Sequence, residues 1–374
     1  MKEKFKPLFE PFQFRNGIDV KNRIVMGPTT NFSSHPDGTV TDEEVNYYTR
    51  RAHGVGMLIT ACAYVTPNGK GFHGEFGADT DGMLPSLSRL AKAIKDQGAK
   101  AILQIFHGGR SCPPELLPNE DLVSASAVAE ERDGAPVPRA LEEEEVGEII
   151  HAFGEATRRA IEAGFDGIEI HGANGYLIQQ FFSPHSNRRT DRWGGNIENR
   201  MAFPLAIVDI TKEAVTKYAT QPFMIGYRFS PEEPETPGIT MADTLQLVDA
   251  LANKDLDYLH VSLMEFWSLA RRGTDDTRSR IELIVEKVDK RVPIIGVGSI
   301  KTPDDAVKAI ESGVEFIALA REIIIEPDWV QKILEGNEAE INTVLVRSDQ
   351  EKLAIPIPLW QAIMNTPGWF PVAE

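Results

Sequence analysis

Eight short apolar runs, each followed by a stretch of helical periodicity, constrain this chain more than any other feature. They fall near Arg23 to Pro28, Val55 to Ala63, Lys100 to Phe106 and Phe165 to His171, then near Phe223 to Ser230, Leu256 to Leu263, Val292 to Ser299 and Phe316 to Arg321. Strands alternating with helices read as β-α units with parallel pairing, and eight such units are the number that closes a barrel. The predicted fold is therefore α/β, a (β/α)8 TIM barrel with long βα loops. Ahead of the first run, FQFRNGIDVKN carries Asn16-Gly17 between alternating residues, which predicts a two-residue β-hairpin plugging the amino-terminal end of the barrel.

The helices have legible starts. Thr41 precedes DEEVNYY and Thr302 precedes PDDAVKAI, so a capping hydroxyl is followed by acids that suit the positive end of a helix. EEEEVGEIIHAFGEATRRAIEAG predicts a helix with an acidic, solvated first turn. With no linker-like boundary, residues 1–374 read as one domain, with 340–374 as an apolar extension holding Trp360, Trp369 and Phe370. That tail could cap the barrel or bury itself in a second subunit of a homo-oligomer. The Pro-rich stretch from Cys112 to Pro138 is expected to cross the active face. The loop from Met264 to Arg280 reads either as a pocket wall or as ordinary packing around a buried Trp267.

A formal charge of −17 repels phosphate backbones and anionic lipid, which argues against nucleic acid or a membrane surface as partner. The start, MKEKFKPLFE, lacks the apolar core of a secretion signal, and no apolar run approaches the roughly 20 residues of a membrane span. The expectation is a cytoplasmic protein. Cys62 and Cys112 are too few for a disulfide framework or a thiolate metal site, so no metal is expected.

One stretch carries the chemistry: HGANGYLIQQFFSPHSNRRTDRWGGNIENR, from His171 to Arg200. It follows the strand FDGIEI, whose alternation puts Gly167, Glu169 and His171 on one face and Ile168 and Ile170 on the other. Within six residues His171, Asn174 and Tyr176 supply two neutral donors and a phenol. That set suits holding a carbonyl oxygen and delivering a proton. The one nucleotide-like motif, GKGFHG from Gly69, is followed by EFGADTDG and not by a helix pattern, so it presents no amides to a pyrophosphate.

The stretch resembles the Old Yellow Enzyme family of FMN-dependent ene-reductases and NAD(P)H:flavin oxidoreductases. His-x-x-Asn followed by Gly-Tyr-Leu ends the family's fourth strand, and DRWGGNIENR is similar to a second family segment, with Trp193 where Tyr is usual. The resemblance implies FMN across the barrel mouth and NADH or NADPH as transient hydride donor. It assigns the FMN contacts to Pro28, Thr29 and Thr30 on the first strand, Cys62 on the second, Gln104 on the third, and His171 and Arg228 on the fourth and fifth. Gly298, Ser299, Ala320 and Arg321 would hold the phosphate, although Ala320 stands where the family usually has Gly. Ala61, Cys62 and Ala63 also depart from the family's Glu-Gly-Thr, and Phe32 from its tyrosine. Too few cysteines and too short a chain separate it from branches with an iron–sulfur cluster.

By the same resemblance His171 and Asn174 hydrogen-bond the oxygen of an activated alkene, and Tyr176 protonates the α carbon. Quinones and nitro compounds are further acceptors. Two other readings stay open: a barrel lyase or isomerase acting on a phosphorylated substrate, which predicts colourless protein, and a flavin-binding redox partner without turnover, whose flavin NAD(P)H cannot reduce.

Overall fold

A computed structural model describes residues 1–373. All eight predicted runs are strands: β1 (Ile24–Met26), β2 (Met57–Tyr64), β3 (Lys100–Phe106), β4 (Gly167–Gly172), β5 (Met224–Phe229), β6 (Tyr258–Val261), β7 (Ile294–Gly296) and β8 (Phe316–Leu319). Each pairs in parallel with its neighbours and β8 returns to β1, closing the barrel. Most strands are shorter than their apolar runs, because the last residues leave the ladder for the functional loops.

Alternation divides the strand residues between two cores. Val25, Met57, Ile59, Ile102, Met224, Ile295 and Phe316 fill the barrel's lower interior. Leu103, Ile105, Ile168 and Ile170 face the surrounding helices. The hairpin does plug the bottom: Phe14, Ile18 and Val20 join the interior cluster, and Phe14 stacks on Phe316 with ring centroids 5.5 Å apart. Its turn corrects the sequence reading, however. Phe14 N donates to Ile18 O and Gly17 N to Phe14 O, so the loop is Arg15, Asn16 and Gly17, with Gly17 at φ 89°. A three-residue loop ending in a left-handed glycine is the bulged hairpin, which serves the same strand twist as the two-residue turn.

Carboxylates staple the lower rim. Asp166 Oδ2 accepts from Ala101 N at 2.9 Å, Asp257 Oδ2 from Ile225 N at 2.7 Å and Glu315 Oε2 from Ile294 N at 2.8 Å. The predicted caps are present as full capping boxes at Thr41 with Glu44 and Thr302 with Asp305. The acidic helix runs from Glu143 to Glu162.

The Cys112 to Pro138 excursion is built of 3-10 turns and one short strand, and Val123–Ser124 pairs with Arg139–Ala140. The tail packs on its own chain: Leu345, Leu353, Ile355, Leu359, Ile363 and Phe370 are buried, and the buried Arg51 donates to Leu353 O at 2.8 Å. Among the described residues no helix is long and apolar enough to cross a membrane.

Candidate active site

Above the apolar interior the inward positions turn polar. Register sets Cys62 of β2 beside Gln104 of β3 and Gln104 beside Glu169 of β4. His171, Arg228 and His260 form a second row across β4, β5 and β6. Glu169, wholly buried, accepts from Gln104 Nε2 at 2.7 Å and pairs with His260 Nδ1 at 2.9 Å. Burial pushes its carboxyl up, but His260, Arg228 and Gln104 outweigh that and hold it below the usual range. The buried His260 ring lies below its own ordinary value and acts as a neutral donor. Arg228 donates to Ser262 Oγ at 3.1 Å, while its buried Nε has no partner among the described residues. Sequence reasoning missed His260, although the alternation that picked Glu169 from β4 picks Tyr258 and His260 from β6.

His171 ends β4 almost fully buried. Its Nδ1 accepts from Ala173 N at 3.3 Å, which leaves Nε2 as the N–H. Burial first, then the positive charge of Arg228, keeps the ring well below its usual pKa and therefore neutral. Tyr176 packs edge-on to it, with ring centroids 5.0 Å apart and planes at 84°, and also meets Phe106 at 5.0 Å. Burial, with Cys62 and Glu75 nearby, raises the Tyr176 phenol well above its ordinary value, so it holds its proton.

Asn174 is exposed at φ 59°, a left-handed turn that asparagine tolerates better than most residues. Its N donates to Ser230 Oγ at 2.9 Å and its Oδ1 accepts from Ser262 Oγ at 2.9 Å, so the amide N–H groups are the end left available. The loop is held from below by two glutamines the sequence did not single out. Gln180 donates to Gly175 O and Gly108 O and accepts from Arg110 N and Ser124 Oγ. Gln179 accepts from Gly175 N and donates to Glu233.

The Met264 to Arg280 loop does wall a cleft of about 390 Å³ beside Asn174 and Ser230. Its buried anchor is Phe266, whereas Trp267 is half-buried under Lys308.

On the opposite side, Pro28, Thr29 and Thr30 line the half-buried exit of β1. Cys62 is buried, and its thiol donates to Glu75 Oε1 at 3.4 Å. Burial, then the Glu75 charge, pushes that thiol far up, which makes it an inert hydrophobe. Glu75 Oε2 accepts from Gly71 N and Phe72 N, so the discarded glycine motif is a loop closed on a buried carboxyl.

At β7 and β8 the backbone forms a cradle. Gly298 lies at φ 143°, and a Cβ there would meet Phe266 N at 2.6 Å, so the position admits only glycine. Ser299, not a glycine, is held at φ 50°, and such strain gathers where backbone is shaped for a ligand. Ser299 Oγ donates to Met264 O, and Arg321 reaches both Ser299 Oγ at 3.4 Å and Trp369 O at 3.2 Å. Ala320 keeps an unusual φ of −112° with ψ −83°. A strained glycine-serine turn beside an arginine fits a phosphate. Arg228 Nε and Gln104 Oε1, both without a hydrogen-bond partner among the described residues, fit the polar edge of a flavin.

A closed parallel barrel with this mouth and this cradle defines a flavin-dependent barrel oxidoreductase. A family profile described as the NADH:flavin oxidoreductase / NADH oxidase family matches residues 7–340, and the chain belongs to that family. Its cofactor is FMN. It is 56% identical over 374 residues to the probable NADH-dependent flavin oxidoreductase YqiG of Bacillus subtilis, covering all of both chains. It is 45% identical over 360 residues to the NADH:fumarate oxidoreductase of Klebsiella pneumoniae, matching 95% of this chain and 38% of that one. Among solved structures, the Old Yellow Enzyme homologue of Zymomonas mobilis superposes with a TM-score of 0.75 at 26% identity, over 88% of this chain and 92% of that one. Morphinone reductase in complex with tetrahydroNAD gives 0.76 at 25% over 98% of each. The lyase or isomerase reading is thereby set aside.

Proposed function

We propose that this NAD(P)H-dependent flavin oxidoreductase reduces an activated alkene conjugated to a carbonyl or similar group. The observation that carries the reading is the edge-on contact of Tyr176 with a neutral His171 at the strand end, next to an Asn174 amide with free N–H groups. When bound, FMN supplies the hydride relay between the nicotinamide and the β carbon of the alkene. Gln104, Arg228 and the backbone near Cys62 and Thr30 would hold the ring system, and Gly298, Ser299, Ala320 and Arg321 the phosphate.

His171 Nε2–H and the Asn174 amide then grip the substrate oxygen. Negative charge grows on that oxygen as the β carbon is reduced, and losing one well-placed donor costs roughly 3 kcal/mol. Tyr176 gives its Oη proton to the α carbon. A phenol kept protonated by its surroundings suits an acid.

We infer NADH as the preferred donor. The names of the probable NADH-dependent YqiG protein and the NADH:fumarate oxidoreductase support it.

The test is the anaerobic visible spectrum. A yellow protein bleached by NADH and recoloured by an α,β-unsaturated carbonyl compound is expected, with NADPH slower in the first step. A flavin that NADH cannot bleach would instead favour a redox partner without turnover.

A further inference from the structure

The buried pair of Glu169 and His260 has no place in the steps above, yet it occupies the centre of the barrel. Glu169 and His260 are both 0% exposed, and their 2.9 Å contact is made inside the ring of strands. An ionised carboxylate can only accept hydrogen bonds. Its Oε1 therefore requires the Nε2–H end of the Gln104 amide, 2.7 Å away, and this leaves Gln104 Oε1 as the end with no hydrogen-bond partner among the described residues. Were position 169 an amide, either end of Gln104 would be satisfied and the choice would be lost. His260 Nδ1 occupies Glu169 Oε2, so the carboxylate cannot rotate to release the amide. Arg228, on the strand between, adds the opposite charge that such a buried anion needs.

We propose that Glu169 and His260 are positioning residues that lock the Gln104 amide with its oxygen outward, so that the barrel floor presents an acceptor, not a donor, to the N–H of the FMN pyrimidine ring. The pair acts through Gln104 and touches neither substrate nor nicotinamide. The proposal rests on Gln104 facing FMN, as read above.

Apoprotein titrated with FMN, followed by flavin fluorescence, tests it together with the midpoint potential of the reconstituted protein. Glu169→Gln is expected to raise the FMN Kd about tenfold, the loss of roughly one fixed hydrogen bond. Removing a buried negative charge beside the flavin should also move the potential upward. His260→Gln, which keeps a donor toward Glu169, should bind FMN like the parent, and His260→Phe should bind it more weakly. Gln104→Leu separates the two readings. If it leaves the Kd unchanged, Gln104 does not contact FMN and the underlying assignment fails. If it weakens binding while Glu169→Gln shifts neither Kd nor potential, the positioning role alone is overturned. Should Glu169→Gln fail to fold, equal FMN affinity in His260→Gln and His260→Phe overturns it.

Discussion

His171 on β4 lies directly opposite Arg228 on β5, so the imidazole that ends one strand faces a half-buried cation on the next. Burial lowers the His171 pKa and the guanidinium adds to that, leaving a neutral ring throughout the physiological range. The rate of alkene reduction should accordingly show no His171 step between about pH 5.5 and 8, a window on either side of the free-imidazole value. Arg228→Met removes the repelling charge, and the His171 step should move upward from the acid side while burial still holds it below the free-imidazole value. Stopped-flow reoxidation at a series of pH values decides. A parent titration near the free-imidazole value that vanishes in His171→Gln would contradict the neutral ring.

Tyr176→Phe separates proton delivery from hydride supply. In the proposed mechanism the phenol serves only the alkene, so its loss should slow reoxidation by about 100-fold to 10,000-fold while flavin reduction by NADH stays within a factor of about two. The two half-reactions are read in separate anaerobic mixing experiments. Equal slowing of both would mean that Tyr176 shapes the mouth as a whole.

Gln180 reads as the keystone of the HGANGY loop because one buried amide satisfies four groups, on three different segments. Gln180→Leu has similar volume but strands those groups without partners, at ~1 kcal/mol or more each. Thermal unfolding should show a loss of at least ~3 kcal/mol, and alkene reduction should fall by more than flavin reduction, because Asn174 and Tyr176 ride on the freed loop. Full stability in this variant would mean that water replaces the amide.

Glu75 gives stability a pH dependence whose sign follows from burial. Desolvation first raises its carboxyl, and the backbone amides of Gly71 and Phe72 offset only part of that, to about 8. The unfolded chain releases this proton near the ordinary glutamate value, so between there and about pH 8 the native state holds one proton more. Stability from this group is complete below the unfolded value and falls as pH rises toward 8, by up to ~1.4 kcal/mol per unit. Urea unfolding of parent and Glu75→Gln at pH 5 and 8 checks it: the variant should gain on the parent as pH rises. Parallel profiles would remove Glu75 as the source.

Much of this molecule is legible in its sequence. The eight apolar runs produced the eight strands, because a strand buried on both faces needs a continuous apolar run and little else resembles one between helix patterns. The alternation in FDGIEIHG put Glu169 and His171 inside correctly. Local pattern is ambiguous elsewhere: Asn16-Gly17 allows two hairpin geometries, and Trp267 and Phe266 are equally apolar neighbours between which only packing chooses the anchor.

The amino-acid sequence by itself determined the barrel, the inward parity of each strand and the residues at the strand ends, since these follow from periods of two and 3.6 residues. Tertiary structure alone decided who meets whom across the barrel. The contact of His260 with Glu169, the two glutamines beneath Asn174, and the reach of Arg321 to both Ser299 and the Trp369 carbonyl join positions up to 91 residues apart. Such contacts depend on closure and stagger of the sheet, which are properties of the whole ring of strands and leave no trace in any one segment.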